Sequence, residues 1–213
     1  MSKDAFLNVP GHLQVAEGYL LQRLMAGKGV FEYGTHHGRS AVAMAATAQK
    51  VWTFDNYAGD SMIGAPDIKT TKKSIKDSGL GDKIEVFQRD WTDLDLLSIR
   101  EPHLYAVFYD AAHEPPHPYE KEFLQMVEDI DFRGLVALHD YKPQEPAYKH
   151  TVDAIDQYAK RSGRTMFGPE KGTSIVWFEH CTKPWDQNAQ LKKWFPDGQP
   201  CSPTPGLWSF EPF

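Results

Sequence analysis

Cysteine is nearly absent: Cys181 and Cys201 are the only two in 213 residues, and both fall in the last fifth of the chain. They form neither a CxxC nor a zinc-ligand spacing, which removes a disulfide framework and a zinc module and points to a reducing, cytoplasmic setting. A disulfide joining the two is the alternative. No apolar run approaches the roughly 18 residues of a membrane span. The opening Met-Ser-Lys-Asp-Ala-Phe lacks the apolar core of a signal peptide. Basic runs are missing as well: 23 Lys and Arg stand against 29 Asp and Glu, a net charge of −6. A protein that grips a phosphate backbone normally carries a basic stripe, so nucleic acid is not the expected partner. Neither a GxGxxG turn nor a GxxxxGK[ST] loop occurs, which argues against dinucleotide and nucleoside-triphosphate sites.

What is present is an ordinary globular balance, 41% hydrophobic and 24% charged, with enough chain for one domain and an appendage. Short apolar runs begin at Gly29, Val51, Ile84, Leu104 and Gly134, and helical patterns cover residues 13–27, 40–46, 67–79, 119–130 and 151–161. Arg164–Phe167 and Ser174–Phe178 add two final strands whose Gly/Pro connection is too short for a crossover helix. The expectation is an α/β fold: a doubly wound, seven-stranded, mostly parallel sheet ending in an antiparallel hairpin. That domain spans residues 1–180. Residues 181–213 hold six of the 15 prolines and three of the six tryptophans, too aromatic for a solvated linker. They read as an arm lying on the domain, on a second copy in a homodimer, or over the site.

Open α/β sheets bind ligands at the carboxyl ends of their strands. An acid follows each of the first five strands here: Glu32, Asp55, Asp90, Asp110 and, after His139, Asp140. Carboxylates there suit ribose hydroxyls, a cationic ligand or a metal rather than phosphate. Gly34 and Gly38 would let a ligand approach the first turn, and Asp55 is placed to accept from two ribose hydroxyls. The plainer role for Asp55 is an Asx-turn with Asn56.

The segment Phe31-Glu32-Tyr33-Gly34-Thr35-His36-His37-Gly38-Arg39-Ser40 resembles the first motif of class I S-adenosylmethionine-dependent methyltransferases, whose Rossmann-like sheet also ends in a hairpin. Asp110-Ala111-Ala112-His113 with Leu138-His139-Asp140-Tyr141 is similar to the small-molecule, macrocin-type O-methyltransferases. The resemblance implies that Glu32, Gly34, Thr35 and Gly38 line the methionine end of the cofactor and that Asp55 holds the ribose. It places Asp90 and Trp91 at the adenine, and Asp110 at the methyl group and the small-molecule acceptor. In relatives that use Mg²⁺, Asp110, His139 and Asp140 would be the metal set. The pattern departs from theirs at His139, where a carboxylate is usual.

Methyl transfer is an in-line displacement, so the protein has to align two reactants and deprotonate one. A divalent cation could lower the pKa of a hydroxyl. Without it, His113 or His139 is a base of suitable pKa, with His117 competing for the role of His113. The fold also serves relatives resembling cephalosporin hydroxylases, and a methyltransferase-like domain that binds without catalysis is a further alternative.

Overall fold

The computed structural model describes residues 2–58, 66–89, 104–111, 119–130 and 132–179. The arm at 181–213, Asp90, Trp91, His113 and His117 lie outside these residues.

Strands and helices alternate in chain order as α1 (Val15–Met25), β1 (Gly29–Tyr33), α2 (Arg39–Ala45), β2 (Lys50–Asp55), α3 (Ile68–Asp77), β3 (Ile84–Gln88), β4 (Leu104–Tyr109), α4 (Tyr119–Asp129), β5 (Leu135–Leu138), α5 (Lys149–Ser162), β6 (Met166–Phe167) and β7 (Val176–Phe178). The seven strands form one sheet in the order β3-β2-β1-β4-β5-β7-β6. The first five pair in parallel, and β7 runs antiparallel to both β5 and β6. The expected α/β architecture, hairpin included, is the one observed.

Side-chain alternation explains why both faces are covered. Val30, Val51, Ala106, Phe108, Leu135 and Ala137 point to one face, where α1 and α2 bury them. Phe31, Tyr33, Trp52, Phe54, Val107, Tyr109 and Val136 point to the other, against α4 and α5. Period-two alternation with both phases apolar is the signature of a strand buried on each side. On the second face the rings of Phe31, Trp52, Phe54 and Phe87 stack in a row, with centroids 5.2, 5.3 and 4.9 Å apart for Trp52–Phe31, Phe31–Phe54 and Phe54–Phe87. Such contacts add stabilisation beyond the area they bury.

Helix ends follow local chemistry. Gln14 and Glu17 close the first turn of α1 as a capping box, Asp67 caps α3 by accepting from the Thr70 amide at 2.7 Å, and Gly163 ends α5 in the left-handed region at φ +67°. The helix expected from residue 151 starts at Lys149, because a 3-10 turn at Pro146–Tyr148 leads straight into it.

Candidate active site

The carboxyl ends of β1, β2, β4 and β5 lie side by side, so the acids that follow them converge. The amides of Gly34 and Asp110 donate to the carbonyls of Phe54 and Tyr33, and that of His139 donates to Tyr109. Each strand end is thereby stitched to its neighbour one residue beyond the ladder. Among the described residues, the non-glycine residues in the left-handed region are His36 (φ 47°), Tyr57 (φ 57°) and Asp140 (φ 61°), and all three sit just past strand ends. Backbone strain collected in one place marks a functional site.

Glu32 is fully buried at the end of β1. It points to the α2 face, where the Thr53 hydroxyl donates to Oε2 at 2.5 Å and Thr35 lies 2.6 Å from Thr53, hydroxyl to hydroxyl. Its other oxygen, Oε1, has no hydrogen-bond partner among the described residues. Burial pushes the Glu32 carboxyl up to about 8; the Ser40 and Thr53 hydroxyls oppose the rise, and the charges of Asp110 and Asp55 add to it. A buried acceptor left open at a strand end fits a ligand that brings a donor or a positive charge. The α-ammonium of S-adenosylmethionine is such a group.

Asp55 ties two loops together. Its Oδ2 accepts from the His36 amide at 2.7 Å and its Oδ1 from the Tyr57 amide at 2.6 Å. The second bond is the Asx-type turn foreseen for this residue, although it closes on Tyr57, while Asn56 forms its own with Ala58. A carboxylate oxygen offers two lone-pair sites, so both oxygens of Asp55 retain one for a vicinal diol.

The glycines answer to the protein as much as to a ligand. A Cβ on Gly34, at φ +98°, would stand 2.0 Å from the carbonyl oxygen of Asp110. A Cβ on Gly38, at φ +87°, would stand 2.8 Å from the Ile75 side chain. The first turn therefore needs glycine to let β4 and α3 approach it.

At the β4 and β5 ends, Asp110, His139 and Asp140 form a cluster that the sequence anticipates in part. His139 Nδ1 lies 3.1 Å from Asp110 Oδ1 and 3.4 Å from Asp140 Oδ1. Its Nε2 lies 3.1 Å from Glu17 Oε2 and 3.3 Å from Ser174 Oγ. Glu17, from the first turn of α1, also accepts from the Ser174 amide and hydroxyl, both at 2.8 Å. Burial would lower the pKa of His139, but the charge of Asp110 and hydrogen bonds to Asp110, Asp140 and Glu17 outweigh it and raise it well above the ordinary value. Burial would likewise raise Glu17; its bonds to His139, Gln14 and Ser174 and the charge of His139 bring it down to about 2. The pair is an imidazolium between carboxylates.

Neither Glu17 nor Ser174 was a candidate in the sequence. Glu17 reads as the third member of a Gln14-x-x-Glu17 cap, and it does fill that role, accepting from the Gln14 amide at 2.9 Å. Its second role depends on where β7 returns. Lys142 was missed too: its ammonium lies 2.5 Å from Asp140 Oδ1 and 4.0 Å from the centroid of the Tyr148 ring.

The ligand atoms of Asp110, His139 and Asp140 lie within 4.8 Å of one another, close enough for a single ion. Their chemistry fits Mg²⁺ poorly. That ion takes oxygen ligands in near-octahedral order, whereas one donor here is an imidazole and one carboxylate oxygen is already paired with an ammonium.

No family model matches the chain, and neither does any curated protein. Solved structures do. The cofactor-bound Rv0187 from MTB superposes with a TM-score of 0.62 at 15% identity, covering 84% of this chain and 85% of that one. The O-methyltransferase TomG from Streptomyces achromogenes, involved in tomaymycin synthesis and solved with S-adenosylmethionine, gives 0.54 at 17% identity over 84% and 86%. The tRNA (m1A58) methyltransferase TrmI from Aquifex aeolicus gives 0.55 at 17% identity over 85% and 76%. At such identities the likeness concerns architecture alone: the sheet and its helices follow the fold of solved methyltransferases such as TomG and TrmI.

Proposed function

We propose that this protein transfers a methyl group from S-adenosylmethionine to a hydroxyl oxygen of a small molecule. The observation that carries the reading is the division of labour at the strand ends: Glu32 and Asp55 at β1 and β2 offer acceptors to a cationic, ribose-bearing ligand, while Asp110 at β4 is partly exposed and braced from behind. S-adenosylmethionine would supply an electrophilic methyl carbon. Glu32, Gly34, Thr35 and Gly38 form the turn around its amino-acid end, with Thr35 acting through its backbone because its hydroxyl is committed to Thr53. Asp55 accepts from the ribose. The adenine is assigned to Asp90 and Trp91 by the resemblance alone, since both lie outside the described residues.

Asp110 accepts the acceptor's proton in this reading. Carboxylate oxygens of Glu17 and Asp110 stand 3.1 Å from the two nitrogens of His139, so in this reading His139 balances the charge of Asp110 instead of touching the acceptor. A base so held stays in one rotamer, which favours alignment. His113 remains the second candidate base. The acidic strand ends and the net charge of −6 favour a small acceptor over RNA, although TrmI shares the fold.

Titration calorimetry with S-adenosylhomocysteine tests the cofactor half, and methyl transfer from labelled cofactor to a panel of hydroxylated compounds and to RNA tests the acceptor. Micromolar binding with methylation of a hydroxyl is the expected result. Binding without transfer to any acceptor would favour a non-catalytic domain or an enzyme resembling cephalosporin hydroxylases. No binding would overturn the reading. Among the described residues no helix is long and apolar enough to cross a membrane.

A further inference from the structure

We infer that Lys142 is a built-in cation that takes the place of a divalent metal ion at the acidic cluster beyond β4 and β5, and that it positions Asp140. Four observations converge on it. Lys142 Nζ lies 2.5 Å from Asp140 Oδ1, the same oxygen that lies 3.4 Å from His139 Nδ1, on a residue of the set spaced for one ion. An ion bound to that oxygen at about 2.1 Å would stand no more than about 4.6 Å from the ammonium, a like-charge contact. The Asp140 side chain is 9% exposed and that of Lys142 28%, so water screens the repulsion only in part. Tyr148, at the turn into α5, faces the ammonium at 4.0 Å from the ring centroid and favours this position of Lys142.

The local backbone suits this arrangement. Asp140 occupies the left-handed region at φ 61°, and the following residue, Tyr141, donates its amide to the Ser174 carbonyl at 2.9 Å. Tyr141 also donates its hydroxyl to Asp156 on α5 at 2.9 Å. The segment between β5 and the turn at Pro146 is thus pinned on two sides, with Lys142 directed back over the strand end. The ammonium fixes one carboxylate, Asp140, and leaves Asp110 as the carboxylate that meets the acceptor. What this means for turnover rests on the methyl-transfer reading; the charge argument does not.

The test is a Mn²⁺ titration followed by electron paramagnetic resonance on the full chain without cofactor. Wild type and Lys142→Arg should bind no Mn²⁺ up to about 1 mM. Lys142→Met should bind one ion at least about tenfold more tightly than wild type, through the carboxylates of Asp110 and Asp140, because one of the two cations beside Asp140 has gone and only His139 remains. Adding Asp140→Asn to Lys142→Met should abolish that gain. Tight one-to-one binding by wild type overturns the inference. So does a Lys142→Met protein with an unchanged circular dichroism spectrum and thermal transition that gains nothing, and so does a gain of equal size in Lys142→Arg, which would assign the effect to shape. Calorimetry with S-adenosylhomocysteine on the same samples reports separately on the methyl-transfer reading.

Discussion

Glu17 and His139 meet at 3.1 Å, joining the first turn of the first helix to the end of the fifth strand. Each partner holds the other's charge, and Ser174 holds both. Replacing Glu17 with Gln leaves the imidazolium without one of its carboxylates. The expected loss is roughly 3 kcal/mol of unfolding free energy, the cost of breaking a buried charged pair from one side. The His139 titration followed by NMR should also move to lower pH. An unshifted titration would mean that Asp110 and Asp140 set its charge without Glu17.

Gly34→Ala puts a Cβ 2.0 Å from the Asp110 carbonyl oxygen at a position with φ +98°. The neighbouring atom is backbone and cannot rotate away. We expect a loss of roughly 3 kcal/mol, from strain and overpacking together, read from the midpoint of denaturant unfolding. An unaltered midpoint would show that β1 and β4 do not approach as closely as described.

Glu32 gives the protein an alkaline sensitivity. Its carboxyl is raised from 4.5 to about 8 in the folded state, so the folded chain holds the proton more tightly than the unfolded one. The stability this confers is complete below about pH 4.5 and is lost as pH rises toward about 8. Glu17 works in the opposite sense: lowered to about 2, it stabilises above about pH 4.5 and its contribution disappears as pH falls through about 2. Thermal melts of Glu32→Gln between about pH 5 and pH 9 should decline less steeply than those of wild type. Parallel declines would show that Glu32 is ionised throughout.

Asp55 and Asp110 should separate binding from turnover. Asp55→Ala removes the proposed ribose acceptor and the clamp on the His36 and Tyr57 amides, and should weaken S-adenosylhomocysteine binding about 100-fold. Asp110→Asn should leave that affinity within about threefold and reduce turnover by about 10²–10⁴. If both variants lose affinity equally, Asp110 belongs to the cofactor subsite.

The parallel part of the sheet was legible because its strands are short, mostly apolar and each followed closely by an acid, as Val107–Asp110 shows. Asp55, Asp110 and Glu32 were legible for the same reason, since topology alone brings strand ends together. Glu17 was hidden because it lies in the first turn of a helix, where an acid that caps the helix needs no other purpose. Lys142 looked like a loop lysine, and nothing local discloses that Tyr148 turns it inward. The glycines carried a true signal whose cause lay elsewhere, because the atoms crowding Gly34 come from Asp110, distant in sequence. Asp90, Trp91 and His113 lie outside the described residues and stand on the resemblance alone.

The clamp of Ser174 on Glu17 has a consequence for biosynthesis. A ribosome delivers Glu17 early, but the amide and hydroxyl that satisfy it arrive only with Ser174, just before β7. Nascent chains cut short of that point carry every parallel strand, with Gln14 and His139, yet leave Glu17 Oε1 without its two Ser174 donors. Vectorial synthesis therefore makes the corner where Glu17, His139 and Ser174 meet the last part of the described sheet to set. Release of stalled chains of increasing length should show protease resistance appearing abruptly once residue 178 has cleared the exit tunnel.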